Sequence, residues 1–254
     1  MIHLVNIIIT SEMRVGSRWL HYLLSELLHM KVSPELDVST LPKSASIVKF
    51  RFKDNTIVKF HHALPSDIFS AIPTKDCVVI AVVRNPRDRI VSWTFHQRFK
   101  PQGQGWLPLK NAKTDEEAVK TAFYSHFRTD ADKNQEILMQ PKFSTKFVEG
   151  KKAVGSYIWT SYHWLKNNLF REIKTIVRYL GLNIKDSEIK RVCLKHSFQR
   201  RAGRAPGEEV RTNEWFRKGE EGDWENWFDE KMVAESADSD KKYWDAIKSE
   251  EGNT

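Results

Sequence analysis

The apolar positions of the chain keep two rhythms. Leu4 to Thr10 is a short, mostly β-branched apolar run, whereas from Ser17 to Met30 the positions Trp19, Leu20, Leu23, Leu24, Leu27 and Leu28 recur at helical spacing. Ile47 to Phe52 and Ile57 to Phe60 read as strands flanking an Asp54-Asn55 turn, which predicts a hairpin. Cys77 to Val83 is apolar throughout, the pattern of a strand buried on both faces of a parallel sheet. A helix is predicted after Arg84 through Phe95, then a loop over Gln97 to Leu109, rich in Gly, Pro and aromatic residues. Helical spacing returns over about Asp115 to Phe127, Gly155 to Lys166, Phe170 to Leu180 with Gly181 as its cap, and Asp186 to His196. From Arg200 to Asp229 no period is clear, and a last helix is predicted over Asp240 to Ser249. Strands alternate with helices without repeat or linker. The expectation is a single α/β domain over residues 1–254 with a central, mostly parallel sheet flanked by helices.

Charge changes the picture more than composition does. Forty per cent apolar and 29 % charged residues describe an ordinary soluble globular chain, but 41 Lys and Arg against 33 Asp and Glu leave a net charge of +8. Such a surplus favours an anionic partner. The two cysteines, Cys77 and Cys193, supply neither a disulfide framework nor metal-ligand spacing, so a reducing compartment is expected. No apolar run approaches the roughly 18 residues of a membrane span, and the opening MIHLVNIIIT lacks a basic leader region. A cytoplasmic protein that uses no membrane is expected.

Four stretches could carry chemistry. In TSEMRVGSRWL, Thr10 to Leu20, a strand passes through a turn with Gly16 into a helix starting near Ser17. Backbone N–H groups and the positive helix end would there face an anion, with Arg14 and Arg18 adding full charges. The spacing is not that of a Walker A loop, and a bare strand-turn-helix with surface arginines fits the same text. In VVRNPRDRIVSW, Arg84 stands at the carboxyl end of a strand, where open α/β sheets bind ligands, with Ser92 about two helical turns further on. An Arg84–Asp88 pair is the plain alternative. In VKFHHALP, Lys59 precedes His61 and His62; histidine suits proton transfer at neutral pH, and nothing local separates the two. In EWFRKGEEGDWENWF, Arg217 and Lys218 flank Gly219, where backbone can approach a ligand closely, and Trp215 and Phe216 could stack on a flat ring.

In order and spacing, MRVGSRW, KFH, RNPRDRIVS and RKGEEGDW together resemble the cytosolic-type sulfotransferases, as does the short KHSF at Lys195 to Phe198. The family transfers a sulfuryl group from 3′-phosphoadenosine 5′-phosphosulfate, releasing 3′,5′-adenosine bisphosphate (PAP). The resemblance runs from about Thr10 to Phe228. It implies a three-layer sulfotransferase fold with a P-loop-like phosphosulfate loop made by Arg14, Gly16, Ser17, Arg18 and Trp19. It assigns the 3′-phosphate to Arg84, Ser92, Arg217, Lys218 and Gly219, and the adenine to Trp19, Ser197, Phe198, Trp215 and Phe216. His61 takes the place of the catalytic base, with Lys59 and Arg14 stabilising charge. Sulfuryl transfer, like phosphoryl transfer, is an in-line displacement in which positioning and charge stabilisation dominate, so no metal is expected.

Three departures from the family pattern stand out. Arg14 replaces the loop's usual lysine, and Ser17-Arg18 replaces its threonine pair. The family's apolar strand ending in a Y-E-D-like text, with an adenine-contacting tyrosine, is expected to be missing, because Asn167-Asn168 runs straight into LFREIKTIVRYLGL. A segment omitted between Asn168 and Leu169 is favoured over a lost strand, whose absence would uncover hydrogen-bonding edges. The family's C-terminal dimer text is replaced by ENWFDEKMVAE, so a monomer, or a dimer of another kind, is expected.

The acceptor implied is a small molecule bearing a hydroxyl or amine, with Trp93, Phe95, Phe99 and Trp106 either lining its pocket or packing in the core. Competing readings are a P-loop nucleotide or nucleoside kinase, a catalytically inactive nucleotide-binding protein of the same fold, and a nucleic-acid module. No nucleic-acid motif supports the last, and no nucleic-acid partner is expected.

Overall fold

The computed structural model describes residues 6–32, 36–37, 55–61, 68, 77–101, 104–127, 157–210 and 217–251. They fall into two compact units, one from Met1–Val83 with Lys146–Ser197, the other from Arg84–Thr145 with Phe198–Thr254.

The first unit holds the sheet. Strand β1 (Asn6–Ser11) pairs with β4 (Thr56–His61) on one side and β5 (Cys77–Val83) on the other. Two short strands, β2 (Lys31–Val32) and β3 (Leu36–Asp37), pair with β4, and β6 (Tyr157–Ser161) pairs with β5. The order is β2–β4–β1–β5–β6, and every one of these pairings is parallel. Ile7, Ile8 and Ile9 are all buried, which explains why β1 shows no polar alternation. One set of alternate positions (Ile7, Ile9, Ile57, Ile80, Val82) packs with the apolar stripe of α1 (Ser17–Leu28), namely Leu20, Leu23, Leu24 and Leu27. Helices α6 (Leu169–Tyr179) and α7 (Asp186–Lys195) add Ile173, Ile176, Val177, Ile189 and Val192 to that core. Because the strands are parallel and in register, Ser11 stands opposite His61 and Val83 opposite Ser161, so one edge gathers the carboxyl ends.

Strand β6 corrects two expectations. Tyr157–Ser161 is a strand where helical spacing suggested a helix from Gly155, and the helix α5 (Tyr162–Asn167) follows it. The strand beside β5 therefore stands before α5, and no strand lies between α5 and α6. No segment is omitted beside it: the Asn168 N–H donates to the Trp164 carbonyl at 2.8 Å, and the Asn168 carbonyl accepts from the Glu172 N–H at 3.0 Å, joining α5 to α6. The Gly181 cap is as expected, with φ of 69°. The Ile47–Phe52 strand of the expected hairpin lies outside the described residues.

In the second unit, α2 (Pro86–Arg98) follows β5. Its start is dictated locally: the Asn85 side chain accepts from the N–H groups of Arg87 (2.9 Å) and Asp88 (3.3 Å), and Pro86 occupies the first turn. A short α3 (Leu107–Asn111) lies within the expected loop, and α4 (Asp115–Phe127) has the bounds the spacing predicts. After α8 (Phe198–Ala202) and a 3₁₀ turn at Asp223–Asn226, the final helix α9 (Glu230–Glu251) begins well before the expected Asp240. Arg87 ties α9 to α2: it pairs with Asp240 (3.2 Å) and donates to the Ser236 hydroxyl (2.8 Å) and the Val233 carbonyl (3.0 Å). Its guanidinium also lies 4.3 Å over the Trp224 ring.

Candidate active site

The loop between β1 and α1 has the geometry of an anion cradle. Gly16 is the N-cap, with φ of 89° and no side chain to occupy the first-turn N–H groups, and no acidic residue stands in the first turn of α1. Those N–H groups and the positive end of the helix are therefore not neutralised by a neighbouring side chain of their own turn. Gly16 is required twice over, because a Cβ there would meet the Tyr162 ring at 3.0 Å as well as the left-handed backbone. Arg14 is also left-handed, at φ of 69°, a conformation costing a non-glycine residue about 1 kcal/mol. The Ser11 hydroxyl donates to the Ser17 hydroxyl at 2.7 Å, tying strand end to helix start. Arg14 and Arg18 are half-buried.

At the carboxyl end of β4, alternation places Lys59 and His61 on one side of the strand, with Lys59 Nζ 2.6 Å from His61 Nε2. Lys59 is 1 % exposed. With Lys59 as an ammonium, which can only donate, Nε2 is the acceptor and a neutral ring carries its proton on Nδ1. His61 is thereby the histidine paired with the lysine; His62 lies outside the described residues.

Trp19 is fixed by its indole N–H, which donates to the His196 carbonyl at 2.6 Å, and it meets Tyr162 edge-on with ring centres 6.5 Å apart. The His196 ring in turn contacts Glu26 at 2.9 Å, and Lys195 donates to the same carboxylate at 3.0 Å. Hydrogen bonds from His196 and Lys195 hold the Glu26 carboxyl below the usual range. Ser197 follows His196 at the end of α7. Tyr162 is the residue that sequence reasoning missed in this unit. Its signal was the aromatic and β-branched run Tyr157-Ile158-Trp159-Thr160 leading to it.

The second unit holds the other basic cluster. Arg84 is 7 % exposed and donates from Nη2 to the Glu220 carbonyl at 3.0 Å. Asp88, its suggested partner, accepts from the N–H groups of Gly222 (2.9 Å) and Trp224 (3.3 Å). Burial pushes the Asp88 carboxyl up despite the Arg84 charge and those two N–H groups. Ser92 is buried on α2, 6 % exposed. Arg217 lies with its guanidinium 4.6 Å over the Phe95 ring and donates to Glu209 at 2.6 Å and to Asp223, which also accepts from Lys218 at 2.7 Å. Burial raises the Asp223 carboxyl, but Arg217 and Lys218 outweigh it and hold it below the usual range.

Gly219 has φ of 70°, and a Cβ there would fall 2.3 Å from the Phe198 ring, so glycine alone allows the ring to lie flat against this turn. Trp215 and Phe216 lie outside the described residues. Of the aromatic residues suggested for an acceptor pocket, Trp93 and Phe95 are buried at 4 % and 1 % exposure. Phe95 packs against Trp227 at 5.0 Å as well as under Arg217, so its role is packing. Among the described residues no group of three His, Cys, Asp or Glu side chains could hold a metal ion, and no helix is long and apolar enough to cross a membrane.

A family model described as a sulfotransferase domain matches residues 5–242. Sulfotransferase 6B1 of Homo sapiens is 22 % identical over 268 aligned positions, spanning 95 % of this chain and 76 % of that protein. Cytosolic sulfotransferase 12 of Arabidopsis thaliana is 23 % identical, covering 80 % of this chain and 57 % of its own length. Among solved structures, mouse sulfotransferase SULT7A1 complexed with PAP superposes with a TM-score of 0.68 at 20 % identity, covering 92 % of this chain and 82 % of that one. Retinol dehydratase in a complex with retinol and PAP gives 0.60 at 18 % identity, covering 98 % and 82 %. The family match selects the sulfotransferase reading over the kinase one. Matched from residue 5 to residue 242, through both compact units, the chain belongs to the sulfotransferase family and is a sulfotransferase enzyme.

Proposed function

We propose that the protein transfers a sulfuryl group from 3′-phosphoadenosine 5′-phosphosulfate to a hydroxyl or amine of a small acceptor, with His61 as general base. The observation that carries the reading is the 2.6 Å contact of Lys59 Nζ with His61 Nε2 at the carboxyl end of β4. In the first unit Arg14, Gly16, Ser17, Arg18 and Trp19 would hold the phosphosulfate end; the start of α1, with no acidic residue in its first turn, suits that charge. In the second, Arg84, Ser92, Arg217, Lys218 and Gly219 would hold the 3′-phosphate, with Phe198, Trp215 and Phe216 toward the adenine.

Lys59 caps the base until an anionic oxygen replaces Nε2 as its acceptor. A charge-assisted bond to a sulfuryl oxygen is stronger than one to a neutral imidazole, so donor binding draws Lys59 away and frees Nε2. The acceptor oxygen then gives its proton to Nε2 and bonds to sulfur. The bond from sulfur to the bridging oxygen of the 5′-phosphate breaks, and PAP leaves with that electron pair. Lys59 and Arg14 stabilise the charge that develops, Arg14 by electrostatics alone because its proton is not transferable. The residues assigned need no metal, and we place the enzyme in the cytoplasm, as a monomer or a dimer that does not use the family's C-terminal text.

Calorimetric titration with PAP against 5′-AMP and ATP, on wild type and Arg84→Ala, tests the donor. Tight binding of PAP alone, lost in the variant, is expected. Equal affinity for PAP and 5′-AMP in the wild type would reject the 3′-phosphate assignment.

A further inference from the structure

We infer that Glu209 is a built-in competitor for the 3′-phosphate, occupying the Arg217 guanidinium in the ligand-free protein and yielding it when a 3′-phosphorylated nucleotide binds. The inference rests on the proposed assignment of Arg217, Lys218 and Gly219 to that phosphate.

Glu209 does not reach Arg217 as a loose surface side chain. The loop that carries it is fastened along the Arg217-Lys218 backbone. The Gly207 N–H donates to the Lys218 carbonyl at 2.9 Å, and the Val210 N–H donates to the Arg217 carbonyl at 3.1 Å. Arg204 clamps the same loop, donating to the carbonyls of Ala202 (3.2 Å), Glu208 (3.0 Å) and Arg217 (2.9 Å). Gly207, at φ of 96°, leaves room for the Glu220 carboxylate, which a Cβ would meet at 3.0 Å. With its backbone so held, Glu209 places Oε1 2.6 Å from Arg217 Nη1.

The charges then cancel. Arg217 and Lys218 bring two positive charges, and Asp223 and Glu209 bring two negative ones, all linked by hydrogen bonds. Arg84, assigned to the same phosphate, donates to a backbone carbonyl, whereas a phosphate that takes the Arg217 guanidinium must displace a carboxylate from it. The two carboxylates are not equally able to leave. The Asp223 side chain is 3 % exposed and bound by both Arg217 and Lys218, whereas the Glu209 side chain is 24 % exposed. Glu209 is the one that exchanges with solvent. Binding of a 3′-phosphorylated nucleotide is accordingly an exchange of anions. This weakens the hold on donor and product alike and speeds product release, while a nucleotide with a 3′-hydroxyl has no charge to trade and is indifferent to Glu209.

The test is calorimetric titration of PAP and 5′-AMP on wild type, Glu209→Gln and Glu209→Asp, with folding checked by circular dichroism. Losing a partly buried carboxylate competitor should tighten PAP binding of Glu209→Gln about fivefold to tenfold, with 5′-AMP unchanged. Glu209→Asp keeps the charge but shortens its reach, and should fall between. PAP affinities equal to or weaker than wild type in both variants overturn the inference, and so does equal tightening of PAP and 5′-AMP. A wild type that does not prefer PAP over 5′-AMP removes the underlying phosphate assignment instead, a result read before any variant is compared.

Discussion

Lys59 and His61 leave β4 on one side, and in the ligand-free protein Lys59 Nζ occupies His61 Nε2. That occupation separates binding from turnover. His61→Ala is expected to lower turnover about 10²- to 10⁴-fold, the usual contribution of a positioned base, while PAP affinity measured by calorimetry stays within about twofold. Parallel losses in both quantities would show that His61 acts through donor binding instead of proton transfer. Gly16 answers to a different constraint, since its positive φ and the Tyr162 ring 3.0 Å from a hypothetical Cβ leave no room for a side chain. Gly16→Ala should cost about 1–3 kcal/mol in urea unfolding, and the loop proposed for the phosphosulfate should bind donor more weakly as it shifts.

Helix α9 is held to α2 through Arg87, whose charge is satisfied by Asp240, Ser236 and the Val233 carbonyl. Truncation leaves Asp240 without that cation in a partly buried setting, so Arg87→Ala should destabilise the fold by about 3 kcal/mol, read from the midpoint of urea unfolding. A change under about 0.5 kcal/mol would mean that α9 is seated by its apolar contacts and the Asn85–Asp240 hydrogen bond without Arg87. The same contacts explain why the start of α9 was illegible in the sequence. Between the buried Met232 and Tyr243 that face carries buried Ser236 and half-buried Asp240, which interrupt the apolar stripe because their partner is a guanidinium.

Strand β6 was misread for the opposite reason. Ile158, Trp159, Tyr162 and Leu165 recur at helical spacing, yet the first two belong to a five-residue strand whose pairing with β5 no local pattern reveals. By contrast β1, α1, β5 and α4 were legible, since their apolar runs or stripes match what they bury. Lys59 and Arg84, two of the basic residues proposed for the site, stand out in the sequence because charges at the ends of apolar strands are conspicuous. Glu209 and Asp223, the carboxylate partners of Arg217, do not, because an acidic residue in a charged, period-free segment reads as solvated surface.

Across the whole molecule the net charge of +8 is distributed into clusters that need ionised carboxylates to hold them, which makes acid the condition that tests the electrostatic design. Glu26 and Asp223 have folded values below the ordinary carboxylate range. Their contribution is therefore complete above that range and is lost as pH falls through the folded values. Asp88 and Glu172 run the other way. Burial raises both, so their contribution is present at low pH and is lost as pH rises through their folded values. The acid limb of the whole protein is the balance of the two sets, and a difference measurement isolates one member.

Asp223→Asn leaves Arg217 and Lys218 without their shared buried anion, and near pH 7 it should destabilise the protein by about 3 kcal/mol. As pH drops below about 4, the ordinary aspartate value, protonation of Asp223 in the unfolded chain begins to offset its native charge, so the gap between the two unfolding midpoints should shrink toward pH 3. A gap that stays constant from pH 7 to pH 3 would show that the amide costs stability through shape alone, and that the carboxylate charge beneath the proposed phosphate cradle contributes nothing to the fold.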